Sequence, residues 1–220
     1  MIPAILSEPY LVIGEGPADT ESISHLAMAR NIAGYQVGYP ELPVAAHGRT
    51  GFGDLLAALA TDSDLRNVRA IAIAYDNDSN PDGAFHHVQQ SIRGSQSGYS
   101  VPAAPLEAGP AVNNVPAIVA LPIPWVNEIG CLESLILPAV TEKWPEVRRL
   151  ADGLIAATRP NDLGTCKGDK AILAALVACV CRDPTCSVRS MWSRREFRDL
   201  LGHTCFDRVA EFLRDLPAML

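Results

Sequence analysis

"VRAIAIAYDND", residues 68–78, decides the fold. From Val68 to Tyr75 nearly every position is apolar, so neither face of this segment is made for water. A strand of that kind belongs in the middle of a sheet covered on both sides, which in practice means a parallel sheet. The run then ends abruptly in two aspartates, Asp76 and Asp78, separated by Asn77.

Working outward, three more apolar segments bounded by turn residues read as strands, at 10–14, 43–46 and 117–122. Helical patterns fall between them at about 19–33, 53–60 and 82–93. Strands alternating with helices predict right-handed βαβ units and a layered α/β sheet. Residues 94–116, "GSQSGYSVPAAPLEAGPAVNNVP", are rich in Gly, Ser, Pro and Asn and read as a surface insertion with room for a short edge hairpin. Beyond the fourth strand, 131–140 reads as a helix that kinks or stops at Pro138. The tail is expected to be helical, with one helix over 167–181 and an amphipathic one over 204–216 whose apolar face carries Phe206, Val209, Phe212 and Leu213. This gives an α/β domain over 1–141 and a helical C-terminal extension over 142–220.

The charges divide along the same boundary. Residues 1–141 hold 5 Lys and Arg against 14 Asp and Glu, whereas 142–220 hold 13 against 11. An acidic first part excludes a general nucleic-acid coat, because phosphate binding needs local positive potential. No apolar run reaches the length of a membrane span and the first residues lack a basic leader, so a soluble, cytoplasmic protein is expected. On that reading the six cysteines are free thiols. A zinc site from Cys181, Cys186, His203 and Cys205 is conceivable, with buried small apolar side chains as the alternative.

The acidic residues carry the chemistry. Ligands of parallel α/β sheets bind beyond the carboxyl ends of the strands, and three acidic clusters follow three predicted strands. Glu15 and Asp19 flank the turn Gly16-Pro17, with Gly16 permitting a tight bend and Pro17 suited to a first helical position. Asp76 and Asp78 lie two apart, which on an extended chain sends both to one side and Asn77 to the other. Glu133 stands near a helix start behind Gly130. Unpaired carboxylates brought together repel. Hard oxygen donors with no His or Cys among them call for Mg²⁺ or Mn²⁺, and a pair of such ions supports phosphodiester cleavage. Each acid alone has a plainer explanation as a helix-dipole partner, a turn former or a solvated side chain.

In this order, "EGPAD" at 15–19, "DND" at 76–78 and "GCLE" at 130–133 resemble the Toprim domain, in the form found in OLD-family nucleases and in a small related family of Toprim-like proteins without assigned function. "HGRTG" at 47–51 is similar to that group's glycine turn, and "KGDKAILAALVA" and "FDRVAEFLRDL" look like the small family's helical tail. The resemblance implies a Toprim-like, Rossmann-like four-stranded sheet. It also implies that Glu15, Asp19, Asp76, Asp78 and Glu133 hold metal, with Glu15 and Asp76 in catalytic roles and Lys167 or Lys170 as an assisting basic residue. Cleavage of DNA or RNA with two Mg²⁺ or Mn²⁺ ions is the implied activity, and a non-catalytic metal-, nucleotide- or partner-binding module is the alternative. OLD nucleases carry an ATPase, but no GxxxxGK[ST] occurs here, so any energy coupling would come from a partner protein or be absent.

Other features have two readings each. His86 and His87 are surface residues or phosphate contacts. Arg148, Arg149, Arg194, Arg195 and Arg198 are solvated helix faces or a track for a nucleic-acid backbone. Trp125, Trp144 and Trp192 read as packing residues.

Overall fold

The computed structural model describes residues 5–40, 51–110, 112, 115–158, 164–183 and 185–220. Its centre is a four-stranded, all-parallel sheet of β1 (Tyr10–Ile13), β2 (Tyr35–Gly38), β3 (Ala70–Asp76) and β4 (Ala117–Ile123), in the order β2-β1-β3-β4. The helices are α1 (Pro17–Ala29), α2 (Gly51–Ala60), α3 (Pro81–Gly94), α4 (Leu132–Lys143), α5 (Pro145–Thr158), α6 (Thr165–Val180), α7 (Arg195–Arg198) and α8 (Asp207–Asp215).

The run that decided the fold divides its side chains by parity. Ala70, Ala72 and Ala74 face one layer, with Val12, Val119 and Leu121 beside them, against α1, α4, α6 and the C-terminal segment. Ile71, Ile73 and Tyr75 face the other, against α2 and α3. Every residue of β3 is buried, as a central strand requires. The small face meets the thicker helical layer, and bulky side chains fill the thinner one.

The C-terminal extension shares a core with the sheet. Trp192, Phe197, Phe206, Phe212 and Leu213 belong to the same buried cluster as β3 and α1. The Trp192 indole donates to Ser22 Oγ on α1 at 2.8 Å, and Arg30 reaches the carbonyls of Leu201 and His203 and the carboxylate of Asp207. The Tyr35 hydroxyl donates to the Leu213 carbonyl. Trp144 packs edge-on against Phe197.

Two expectations need correction. The first helix ends at Ala29, four residues early, because Asn31 takes a left-handed φ of 53° and turns the chain into β2. The strand beside β1 is therefore Tyr35–Gly38; the strand expected over 43–46, and most of the glycine turn at 47–51, lie outside the described residues. Pro138 neither stops nor ends α4, which runs on to Lys143. Within the insertion, Leu106 N and Gly109 N donate to Ala120 and Ile118 carbonyls, so this segment covers the outer edge of β4, a common protection for an edge strand. No helix among the described residues is long and apolar enough to cross a membrane.

A carboxylate crevice at the strand switch point

The strand order makes a switch point. From β1 the chain crosses outward to β2, then returns past β1 to β3, so the connections leaving β1 and β3 diverge and open a crevice beyond their carboxyl ends. Glu15 and Asp19 stand on the β1 side. Gly14 lets α1 start that close: a Cβ there would lie 2.7 Å from that of Asp19. Asp19 folds back as a cap, its Oδ2 accepting from Gly16 N at 2.8 Å, and Pro17 fills the first helical turn.

On the β3 side, Asp76 is 8% exposed. Its backbone N–H donates to Glu15 Oε1 at 3.1 Å, and its own Oδ1 accepts from Leu132 N at the start of α4 at 2.9 Å. That amide is a helix N-terminal donor, the natural partner of an anion. Glu133 follows immediately, and its Oε2 is buried with no hydrogen-bond partner. Lys170 on α6 brings its Nζ to 3.6 Å from Asp76 Oδ2.

Electrostatics record this convergence. Burial, then Glu15 and Glu133, push the Asp19 carboxyl up to about 7, against the Gly16 amide and Lys170, which pull it down. Asp76 is driven well above the usual carboxylate range by burial, Asp19 and Glu15, with Lys170 opposing. Burial would lower the Lys170 pKa, but Asp76 and Glu133 outweigh it and hold the ammonium firmly charged. Asp19, Asp76, Asp78 and Glu133 thus all act on one ammonium.

Of the residues singled out in the sequence, Glu15, Asp19, Asp76, Glu133 and Lys170 come together. Lys167 is exposed, one turn earlier on α6. Asp78 departs from the strand-alternation argument, because β3 ends at Asp76 and Asp78 has a φ of 50°. Its backbone pairs with Gly130 at 2.7 and 2.8 Å, and its carboxylate lies close enough to Cys166 to raise that thiol's pKa. Gly130 is required there: it has a φ of 143°, and a Cβ would come within 2.6 Å of Ser134 Oγ. Sequence reasoning missed Cys131 and Cys166 as crevice neighbours. Burial and then Asp76 and Glu133 raise the Cys131 thiol, and burial chiefly raises Cys166 to about 11. Nothing in their spacing, 35 residues apart, announces that the Cys131 thiol meets the Cys166 carbonyl at 3.9 Å.

The remaining candidates disperse. His86 and His87 are exposed on α3. Arg148, Arg149 and Arg194 pair with Asp152, Glu146 and Asp183 respectively, so these arginines are mostly engaged locally. His203 lies between Glu142 and the Cys205 amide, which argues against the four-residue zinc site.

A divalent cation fits the donor chemistry: hard carboxylate oxygens in excess of positive charge, and a buried Glu133 oxygen with no partner. Among the described residues, however, no three His, Cys, Asp or Glu side chains stand ready as one ligand set. Cation binding therefore requires side-chain rotation, with Asp76 released from Lys170.

Residues 9–188 match the model of a family described as "Protein of unknown function (DUF3226)". No curated protein and no solved structure matches the chain.

Proposed function

Since the chain belongs to DUF3226, whose description assigns no activity, we propose from the crevice itself that it is a Toprim-type, Mg²⁺- or Mn²⁺-dependent phosphodiester-cleaving enzyme acting on DNA or RNA. The observation that carries this reading is the gathering of Glu15, Asp19, Asp76 and Glu133 at the switch point, with two carboxyls pushed above their ordinary range. Perturbed carboxyls in a cleft are the mark of a site arranged for something other than stability.

Glu15, Asp19, Asp76 and Glu133 would hold the cation, with Asp78 at the margin. When bound, such an ion supplies Lewis-acid stabilisation of phosphate oxygens and a more acidic water. The chain's own groups do the rest. Burial of Asp76 lowers the local dielectric and strengthens each charge interaction in the crevice. The Leu132 and Asp76 amides fix two carboxylates in orientation. Glu15, whose Oε1 accepts from the Asp76 amide at 3.1 Å, is placed beside Asp76 to accept a proton from a nucleophilic water. Lys170 is placed to meet a phosphate oxygen once Asp76 turns to the cation.

The decisive experiment incubates the protein with plasmid DNA, single-stranded DNA and RNA in Mg²⁺ or Mn²⁺, beside Asp76→Ala and Glu133→Ala. Cleavage abolished in both variants supports the enzyme; equal cleavage in all three preparations is contamination and refutes it. The Lys170–Asp76 pair favours a second reading, in which the ammonium replaces the metal and the chain is a non-catalytic Toprim-like module binding nucleotide or a partner protein. Absence of both Mn²⁺ binding and cleavage would support that reading.

A further inference from the structure

The loop from Pro124 to Cys131 carries the last part of the crevice, because it ends at the Leu132 amide and Glu133. It is fixed from both sides. From beneath, Asn77, only 1% exposed, donates through its single Nδ2 to the carbonyls of Trp125 at 2.7 Å and Glu128 at 2.8 Å. Its backbone N–H donates to Ile123 O at 2.9 Å. From outside, Arg208 on α8 grips the Glu128 carboxylate with two bonds of 2.6 and 2.9 Å, and its guanidinium lies 5.3 Å from the centre of the Trp125 ring.

We propose that Asn77 is a positioning residue for the cation site and Arg208 its outer anchor. Together they set where Glu133 and the Leu132 amide stand relative to Asp76. The inference rests on the cation reading above. It explains the middle residue of "DND", which is turned away from the crevice. Among short uncharged side chains, the primary amide of asparagine is the one that offers two donors to two carbonyls from one atom. Aspartate would set acceptors against acceptors, and serine has a single hydrogen to give. Arg208 also connects this loop to the C-terminal segment, so the far end of the chain takes part in placing a ligand near the middle.

The test compares Mn²⁺ affinity by calorimetry and amide hydrogen exchange over 125–132 in wild type, Asn77→Ser, Arg208→Met, Arg208→Lys and Asn80→Ala. Asn80 caps α3 through Gly83 N at 3.0 Å, so its variant loses stability without touching the loop. Asn77→Ser is expected to weaken Mn²⁺ binding about 10- to 100-fold, the usual effect of removing an orienting partner, and to speed exchange at Leu132. Arg208→Met should weaken binding several-fold, Arg208→Lys should recover part of it, and Asn80→Ala should change neither readout. If wild type binds Mn²⁺ and Asn77→Ser binds it equally, the proposal is wrong. A wild type that binds no Mn²⁺ sinks the cation reading, while unchanged exchange in Asn77→Ser separately sinks the latch. Should Asn77→Ser not fold, unaltered affinity and exchange in Arg208→Met overturn the proposal.

Discussion

The two ends of the sheet carry opposite charges in opposite ways. At the amino end, before β3 and β4, a cavity of about 740 Å³ is lined by Arg66, Arg69, Val112, Pro116, Met219 and Leu220. Its two arginines are exposed and keep their hydration. At the carboxyl end carboxyls are withdrawn from water and pressed together, and the amides of Gly16, Asp76 and Leu132 hold them. In a parallel sheet the helix N-termini gather at this second end, so anions are tolerated there. What sets the two ends apart is burial: the arginines of the amino end stay hydrated, whereas at the carboxyl end polar groups are buried and a Glu133 oxygen is left unsatisfied.

The largest expected effect breaks the symmetry of that comparison. Asp76→Ala or Glu133→Ala should lower Mn²⁺-dependent cleavage more than about a hundredfold, the consequence of losing several kcal/mol of metal-mediated stabilisation. Arg66→Gln should leave it within about twofold of wild type, below the ~1.4 kcal/mol that a tenfold change represents. Plasmid-nicking rates check both, and comparable losses at the two ends would dissolve the distinction.

Stability should move the other way. Asp19 titrates near 7 in the folded chain and near 3.9 when unfolded. Between those values the folded state binds more protons, so stability of the metal-free protein falls as pH rises from about 4 to about 7. Asp19→Asn keeps an acceptor for Gly16 N and removes the charge. It should raise the Tm of the metal-free protein at pH 7.5 by on the order of several degrees, flatten the fall from pH 4 to 7, and reduce the upward shift that Mn²⁺ gives wild type. A stabilised variant with weaker metal response is the expected exchange between stability and function. Calorimetric scans at several pH values, with and without Mn²⁺, decide it.

Lys170→Met sharpens the choice between enzyme and module. Removing the ammonium frees Asp76, so Mn²⁺ should bind several-fold more tightly. If Lys170 also meets phosphate, cleavage should fall about tenfold or more, in the range of a positioned charge-stabilising group. Tighter binding with unchanged cleavage confines Lys170 to the role of resident counter-ion.

Much of this architecture was legible in the sequence for simple reasons. The all-apolar β3 could belong only to a doubly covered strand, and acids placed directly after strands converge by topology. What could not be read depended on single torsions and distant neighbours. Asn31 and Asp78, both at positive φ, ended a helix early and took a carboxylate off the strand direction, and no periodicity registers one left-handed residue. Choosing Lys170 over Lys167 required the placement of α6 against α4, where Ser134 donates to Asp169. The two donors of Asn77 were invisible because their acceptors are backbone carbonyls 48 and 51 residues away.

The smallest effect is expected at Arg69, and it tests whether the amino end owes anything to its charges. The backbone of Arg69 is fully committed, its N–H donating to Pro9 O at 2.7 Å and its carbonyl accepting from Ala117 N at 3.0 Å. Those bonds survive any side chain that allows an extended backbone. Among the described residues the guanidinium reaches only the Tyr10 hydroxyl, at 3.5 Å, the outer limit of a hydrogen bond. Arg69→Gln should therefore change unfolding free energy by less than about 0.5 kcal/mol, as for ordinary surface positions, and should not alter the response to Mn²⁺. Urea unfolding measures this directly. A loss of 2 kcal/mol or more, well beyond that roughly 0.5 kcal/mol surface range, would mean that the arginines of the amino end are structural in a way their exposure conceals.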